Sequence, residues 1–143
     1  MEKINFVNNS EPYLSAENLN TMQDNIETAI NGIVESGSNE NGSYVKYSDG
    51  TMICSHRETK GTTIKNEWGQ LKVSPIIDGF VYPVPFIERP HTIINVEGDS
   101  SAWIACAGAG STTQTMPFHL VASNPITNGA YFDIEYIAKG KWK

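Results

Sequence analysis

The stretch "SYVKYSDGTMICSHR", residues 43 to 57, decides the fold of most of this chain. Apolar and polar residues alternate in two runs, and Asp49-Gly50 lies between them. An Asp-Gly pair in that position is the strongest short-range signal for a β-hairpin, because it tolerates the positive φ angles of a tight turn. We therefore predict that a β-domain begins here.

Six more candidate strands follow, separated by turn residues. They are "TTIKN" (62 to 66), "GFVYPV" (79 to 84), "HTIINVE" (91 to 97), "AWIACA" (102 to 107), "MPFHLVA" (116 to 122) and "AYFDIEYIAK" (130 to 139). In the last one, alternate residues share an apolar face, which is typical of a half-buried antiparallel strand. These residues are Ala130, Phe132, Ile134, Tyr136 and Ala138. With no second helix pattern among the strands, we expect a mainly β fold, an antiparallel β-sandwich or small barrel.

A helix is predicted ahead of the β-domain. Ser15 is a suitable N-cap, Leu14 can pack on Leu19 as a hydrophobic staple, and Gly37 is a suitable stop. Apolar residues then recur in alternating steps of three and four, as in a short coiled-coil seam. The seam residues are Leu19, Met22, Ile26, Ala29 and Ile33.

This helix needs a partner, because short helices gain most of their stability from packing. One partner is the β-domain of the same chain. The other is a copy of the same helix in a short parallel bundle, where Asp24, Glu27 and Glu35 would repel their copies at a small cost. The two alternatives stay open at this point.

The polar stretch "SGSNENGS" (36 to 43) has no aliphatic or aromatic side chain and is typical of a flexible connector. We therefore predict three segments: an N-terminal arm and helix for attachment or trimerisation (1 to 37), a linker (38 to 43) and a β-sandwich (44 to 143). We call the third segment the head.

The net charge of -6 comes from residues 1 to 40, which contain seven acidic residues and one lysine. Residues 41 to 143 have no net charge, because nine Lys and Arg balance nine Asp and Glu, and their only basic cluster is Lys139, Lys141 and Lys143. This distribution argues against nucleic-acid binding. Since there is neither a signal peptide nor a run of about 18 apolar residues, we expect synthesis in the cytoplasm and no membrane insertion.

No catalytic or metal-binding pattern stands out. We interpret Cys54 and Cys106 as buried thiols, and expect neither a metal nor a cofactor. "CSHRE" (54 to 58) has no nucleophile signature around it. "GAGSTTQ" (108 to 114) lacks the lysine of a phosphate loop, and Asp133 with Glu135 are two exposed carboxylates on a strand. We therefore do not expect an enzyme.

Four stretches resemble proteins of bacteriophages. "YLSAENLNTMQDNIETAIN" (13 to 31) is similar to the N-terminal segment of tail and appendage proteins in phages of Gram-positive bacteria. "NGSYVKYSDGTMICS" (41 to 55), "VYPVPFIERPHTIINV" (81 to 96) and "FDIEYIAKGKWK" (132 to 143) resemble the C-terminal tip domain of phage tail fibres, a sandwich similar to H-type lectins.

The resemblance implies a homotrimeric virion appendage, a tail fibre or receptor-binding protein, made in the host cytoplasm. Its N-terminal segment would contact other virion proteins, and its tip would bind host cell-surface polysaccharide. A head-fibre or baseplate protein without glycan binding is the alternative. A wall-degrading enzyme is a third reading. The chain departs from the tip pattern at Cys54, Ser55 and His56, where tryptophan and glycine are usual, and it ends in "AKGKW" instead of "AIGxW". No sugar-contacting residue of the lectins has a counterpart here.

Polar loops with an occasional aromatic ring can offer hydrogen bonds and stacking to a polysaccharide. We favour the loops "EGDSSAW" (97 to 103) and "GAGSTTQT" (108 to 115). The candidate contacts are Arg57, Trp68, Asp99, Gln114 and His119. The alternatives are that Trp68 caps the core, that His119 lies at a subunit interface and that the others are solvated.

Overall fold

The computed structural model of this chain describes residues 15–143, apart from the side chains of residues 30 and 31. Within that range it has one helix and nine strands. They are α1 (Ala16–Asn31), β1 (Ile33–Asn39), β2 (Gly42–Tyr47), β3 (Thr51–Ile64), β4 (Asn66–Trp68), β5 (Leu71–Val73), β6 (His91–Gly98), β7 (Trp103–Cys106), β8 (Phe118–Ala122) and β9 (Ile126–Lys141).

The strands form two antiparallel sheets. The first has the order β1-β2-β3-β9-β6, and the second has the order β4-β5-β8-β7. The prediction of a mainly β fold with antiparallel sheets behind one short helix is therefore confirmed. In the first sheet, β9 pairs with β3 and with β6. Both of these strands are far from β9 in the sequence, so much of the strand pairing is between distant parts of the chain.

The Asp49-Gly50 turn joins β2 to β3 as predicted. Gly50 has a φ of 86°, in the left-handed region that favours glycine. The carboxylate of Asp49 accepts a hydrogen bond from the Thr51 amide at 2.8 Å, and the Gly50 amide donates to the Tyr47 carbonyl at 3.1 Å. The side chain of Asp49 thus supports the turn that its position in the sequence predicts.

Strands β3 and β9 run side by side through the head and define its two ends. Thr51 pairs with Lys141 at one end, and Thr62 pairs with Ala130 near the other. The 16 residues of β9 correspond to about 50 Å of strand at about 3.3 Å per residue. The helix joins the head at the first end, where the Ser48 amide donates to the Gly32 carbonyl at 2.8 Å. We call these the helix end and the loop end.

The core lies between the two sheets and an irregular segment, residues 74–90. The alternating residues of β9 that were predicted to share a face are all buried. They pack with Phe118, Leu120 and Ala122 of β8 and with Phe80, Tyr82 and Phe86 of the irregular segment. A core that two sheets share is the arrangement of a β-sandwich.

The flexible connector predicted over residues 36 to 43, and with it the linker 38 to 43, is wrong as local structure. Residues 33–39 form β1, which pairs with β2 along its length. Asn39 shapes the turn, since its side chain accepts from the Asn41 amide and donates to the Pro83 carbonyl, both at 2.9 Å. Every residue of β1 is exposed at the sheet edge, so it lacks the apolar alternation by which a strand is recognised.

The predicted extent of the helix is also corrected. The helix ends at Asn31, six residues before Gly37, because Gly32 takes the left-handed conformation (φ 57°) and its amide donates to the Thr28 carbonyl. Ile33 is consequently the first residue of β1 and does not continue the seam. Ser15 is the N-cap, as predicted, and accepts from the Asn18 amide at 3.1 Å. The staple through Leu14 lies outside the described residues, as do the preceding arm and the start of segment 1 to 37.

Two smaller predictions also fail. "GFVYPV" (79 to 84) is not a strand, and only one isolated bridge, between Val81 and Gln114, is formed there. Pro83 and Pro85 cannot donate to a ladder, which explains the interruption. Cys54 is buried as predicted, but Cys106 is exposed.

The helix does not pack its seam on the head. Leu19 is 49% exposed and Ile26 is 53% exposed, while Ala29 is exposed and Met22 is half-buried. Of the two partners that the sequence left open, the β-domain of the same chain is therefore not the one used in this structure.

Candidate functional site

The loop end carries three adjoining clefts, formed by residues 61–63, 96–102 and 125–132. The first cleft, of about 300 Å³, is lined by residues 96–102 and Phe132. The second, of about 350 Å³, is lined by Asp99, Ser100 and residues 125–130. The third, of about 270 Å³, is lined by residues 61–63 and 128–131. Because neighbouring clefts share residues, they form one continuous polar surface.

Backbone packing holds the 97–103 loop close to β9. A Cβ atom at Gly98 would lie 2.5 Å from the ring of Phe132 and 2.7 Å from the Tyr131 carbonyl, so glycine is required there. The next residue, Asp99, donates its amide to the same carbonyl at 3.3 Å. The loop therefore leaves β6 with its first residues fixed against the sheet, and Asp99 lies where the first and second clefts meet.

Tyr131 is the most exposed aromatic ring at the loop end. It is 67% exposed and lies against Gly61, its partner across β3 and β9. The nearest ring carbon is 3.2 Å from the place where a Cβ atom of Gly61 would be. Tyr131 lines the third cleft together with Asn128. An exposed ring can stack on a sugar, and an amide side chain can hydrogen-bond to it.

Arg57 lies on the outer face of the first sheet and is already paired. Its Nη2 donates to Oδ2 of Asp133 at 2.8 Å and to Oε2 of Glu97 at 3.3 Å. Thr59 donates to the other Asp133 oxygen at 2.5 Å. The hydrogen bonds from Thr59 and Arg57 lower the pKa of Asp133, and the bond to Asp133 raises the pKa of Arg57. The guanidinium thus crosslinks the sheet surface.

Gln114 and His119 brace the irregular segment. Gln114 Nε2 donates to the Gly79 carbonyl at 3.1 Å, and His119 Nδ1 lies 2.9 Å from the Ser74 carbonyl, to which it donates. Both side chains are half-buried. These contacts satisfy backbone groups of a segment that pairs with other strands only at isolated bridges, which is a structural role.

The structure does not bring the five predicted contacts together. Trp68 is at the tip of the β4–β5 hairpin, where it pairs with Leu71 and is 53% exposed, so it does not cap the core. Among the clefts found in residues 15–143, only Asp99 of the five lines one. The two loops favoured from the sequence line different clefts, since residues 108–110 contribute to a fourth cleft described below.

Two residues in clefts were not predicted as contacts. Tyr131 could have been found, because the alternation of β9 places it on the outer face. Arg89 lines the fourth cleft together with residues 108–110. Only the tertiary fold brings these two segments together, so nothing in the local sequence marks Arg89 beyond the proline that follows it.

The residues that were considered for catalysis lie in surroundings that do not favour a nucleophile or a catalytic acid. Burial raises the pKa of Cys54 to about 11, which keeps its thiol protonated at neutral pH. The low pKa of Asp133 is the opposite of what a catalytic acid needs. Among residues 15–143, no group of three or more His, Cys, Asp or Glu side chains is arranged to hold a metal ion. In the same range, the one helix is too short and too polar to cross a membrane.

No protein-family model matches this chain, and no curated protein sequence does. Among solved structures, it is similar to a P. aeruginosa R1 pyocin fibre fragment comprising C-terminal residues, with 16% sequence identity and a TM-score of 0.51. The match covers 97% of this chain and 40% of that one. An N-truncated R1-type pyocin tail fibre matches at 16% identity with a TM-score of 0.49, over 91% of this chain and 99% of that one. At this identity the likeness concerns the fold: this chain folds like a part of a tail fibre.

Proposed function

We propose that this chain is a bacteriophage tail-fibre or receptor-binding component whose head binds glycans on the surface of a Gram-positive host. The observation that carries the proposal is the likeness in fold to the R1 pyocin fibre, which extends over 97% of this chain. The match also includes residues outside the head, because the head (44 to 143) is a smaller share of the chain than the 97% that is covered. In the proposed role, the chain is a part of the virion that adheres to the host receptor and does not modify it chemically.

The two ends of the head suit such a role. The helix leaves the head beside the Asp49-Gly50 turn, and the polar clefts lie at the far end of β9. In the proposed fibre, the N-terminal segment contacts other virion proteins, while the loop end points away from the particle. Asp99 and Tyr131 are then presented to the cell surface.

The exposed seam of α1 supports association into a homotrimer. Leu19 and Ile26 leave about half of their surface in water in the single chain, and a parallel bundle of three helices would cover them. Glu17, Asp24 and Glu27 stand on the helix with no basic residue in its last turn, so the bundle carries some repulsion. The heads and the residues of β1 that follow, beginning with Ile33, are expected to keep the copies together despite it.

A trimer would also compensate for weak sugar binding. Open polar clefts on one head offer few contacts, but three linked heads raise the effective concentration of each site for a repetitive polysaccharide. The ring of Tyr131 supplies stacking, and the 97–103 and 125–131 segments supply hydrogen bonds.

Competition for host cells tests the proposal. Purified chain should block adsorption of the phage to its host, and a Tyr131→Ala variant should block it less well, with Trp68→Ala as a control for loss of an exposed ring away from the clefts. If the wild-type chain neither blocks adsorption nor binds host polysaccharide in a titration, the receptor-binding role is wrong and a head-fibre or baseplate role takes its place. Release of reducing sugar from host envelopes would instead indicate an enzyme.

Light scattering tests the trimer separately. The wild-type chain should have three times the monomer mass, and Leu19→Ser with Ile26→Ser should shift it towards the monomer while the head keeps its melting temperature. A monomeric wild-type chain would exclude both the bundle and the avidity that depends on it.

A further inference from the structure

The fourth cleft lies towards the helix end of the head, away from the loop end. It has a volume of about 330 Å³ and is lined by two segments of the chain: Tyr82, Arg89, Pro90 and Thr92 from the first, and residues 108–110 with Met116 from the second. Thr92 pairs with Ala138, near the end of β9, which fixes the position of the cleft. We call it the Arg89 cleft.

The charge of the Arg89 cleft sets it apart. Arg89 is its one charged lining residue, and within residues 15–143 no carboxylate forms an ion pair with it. The three clefts of the loop end are lined by carboxylates or by no charged residue. Another cleft, beside His56 and Phe80, is lined by three carboxylates and one lysine. In a protein with a net charge of -6, this is a local site for an anion.

Three backbone amides of the lining residues are available as hydrogen-bond donors. The backbone amides of Gly108, Ala109 and Gly110 donate to no other residue in the described part of the chain. The neighbouring amides are used, since Ala107 donates to Pro117 at 2.9 Å and Ser111 donates to Gln114 at 2.8 Å. Consecutive N–H groups and a guanidinium are the donors that bind a carboxylate or a phosphate in proteins.

The cleft is preformed, because both walls are fixed by hydrogen bonds. Residues 82 and 86 donate their amides to the carbonyls of residues 113 and 112, each at 2.9 Å. The hydroxyls of Tyr82 and Thr92 lie 2.9 Å apart in one hydrogen bond. Pro90 is buried and restricts Arg89 to extended backbone geometry. Little conformational entropy would be lost on binding.

The rest of the lining selects the kind of molecule that carries the anion. Pro90, Met116 and Ala109 give the cleft an apolar part beside the guanidinium. A bare inorganic ion would leave that part unused, whereas the carbon face of a sugar ring would cover it.

We infer that the Arg89 cleft binds an acidic sugar, with its carboxylate or phosphate held between Arg89 and the amides of residues 108–110. The inference rests on the proposed function only for the source of that sugar, a host-surface polysaccharide. It adds to that function a second subsite and a charge requirement, since Asp99 at the loop end would not attract an anion.

The test is a titration of the full ¹⁵N-labelled chain followed by NMR. Sodium glucuronate and glucose 6-phosphate are the probes, and glucose is the neutral control. We expect saturable shifts of the Gly108, Ala109 and Gly110 amides with at least one acidic sugar and none with glucose. The acidic sugar that binds more tightly identifies whether the carboxylate or the phosphate is preferred. Equal shifts with glucose, or no saturation with either acidic sugar, would overturn the inference.

Two variants assign the effect to Arg89. Arg89→Gln should weaken binding about tenfold or more, as expected for loss of a charge-assisted contact, and Arg89→Lys should weaken it less, because lysine keeps the charge but not the paired donors. Lys65→Gln removes the same charge from an exposed residue that lines none of the described clefts, and should leave binding unchanged. Equal weakening by Arg89→Gln and Lys65→Gln would mean general charge attraction and would contradict the inference.

Adsorption to host cells separates this inference from the proposed function. If the wild-type chain and Arg89→Gln compete equally well for cells, the proposed function stands and the subsite is not used. If the titration depends on Arg89 while the wild-type chain does not bind cells, the Arg89 cleft stands and the proposed function fails.

Discussion

Arg57 and Asp133 join β3 to β9 across the outer face of the first sheet, with Nη2 of the arginine 2.8 Å from Oδ2 of the aspartate. The pair is diagonal, because Asp133 lies directly opposite Thr59 in the register and Arg57 lies opposite Glu135. Thr59 and Arg57 together hold the carboxylate in its ionised form. This link has a consequence for the response of the head to acid.

The stability of the head should fall as the pH is lowered through the titration of Asp133. Its folded pKa lies below the ordinary value of 3.8, so its contribution is present at pH values above 3.8 and is lost as the pH falls through the folded pKa. In urea unfolding at pH 7, the free energy of unfolding of the wild type should exceed that of Asp133→Asn. The difference between the two should shrink at pH 3. A difference that stays constant would show that the charge of Asp133 plays no part. Glu35 and Asp49, whose pKa values are also lowered, will keep some acid sensitivity in the variant.

Substitution of two neighbouring residues of β9 should change the free energy of unfolding by very different amounts. Phe132 is fully buried, and Phe132→Ala should lower the free energy of unfolding by about 3–5 kcal/mol through lost burial and a cavity. Tyr131→Phe, one residue away on the exposed face, should change it by less than about 0.5 kcal/mol. Urea unfolding of both variants checks the register of β9. A larger loss for Tyr131→Phe than for Phe132→Ala would mean that the faces have been exchanged.

The two cysteines should differ in reactivity. Cys106 is exposed, although its thiol donates to the Gly108 carbonyl, and Cys54 is buried with a pKa raised to about 11. Ellman's reagent at pH 8 should therefore modify one thiol in the native protein and both in denaturant. Cys106→Ser should abolish the native reaction, and Cys54→Ser should leave it intact. Fast modification of Cys54 would indicate that the head opens readily.

The helix N-cap should matter for α1 without affecting the head. Ser15→Ala removes the acceptor for the Asn18 amide and should cost about 1 kcal/mol of helix stability. The helical signal in circular dichroism should decrease, while the melting temperature of the head stays the same. Ser38→Ala, at an exposed serine of β1, is the control and should change neither. A lower melting temperature of the head in Ser15→Ala would mean that helix and head unfold together.

The parts of the fold that the sequence predicts are those with local causes. The Asp49 side chain caps its own turn, and the alternation of β9 follows directly from which face is buried. β1 is different, because its exposed serines, glycine and asparagine look like a connector and become a strand only by pairing with β2. The seam through Ile33 favours a helix that continues towards Gly37, yet Gly32 ends it first.

The site was harder to predict than the fold. Gln114 and His119 have the polar chemistry of ligand contacts, but the carbonyls of Gly79 and Ser74 occupy them. Those carbonyls lie 35 and 45 residues away in the chain, so their need for donors is invisible in the local sequence. The Arg89 cleft likewise exists only where residues 108–110 meet Arg89.

The continuous pairing of β3 with β9, from Thr51 opposite Lys141 to Thr62 opposite Ala130, has a mechanical consequence. Backbone hydrogen bonds between antiparallel strands are perpendicular to the strands. A pull that separates β3 from β9 along their length, with force at opposite ends of the head, therefore loads these bonds sideways and all at once. Such a geometry resists tension collectively, whereas a hairpin that is opened from its turn loses its bonds one after another.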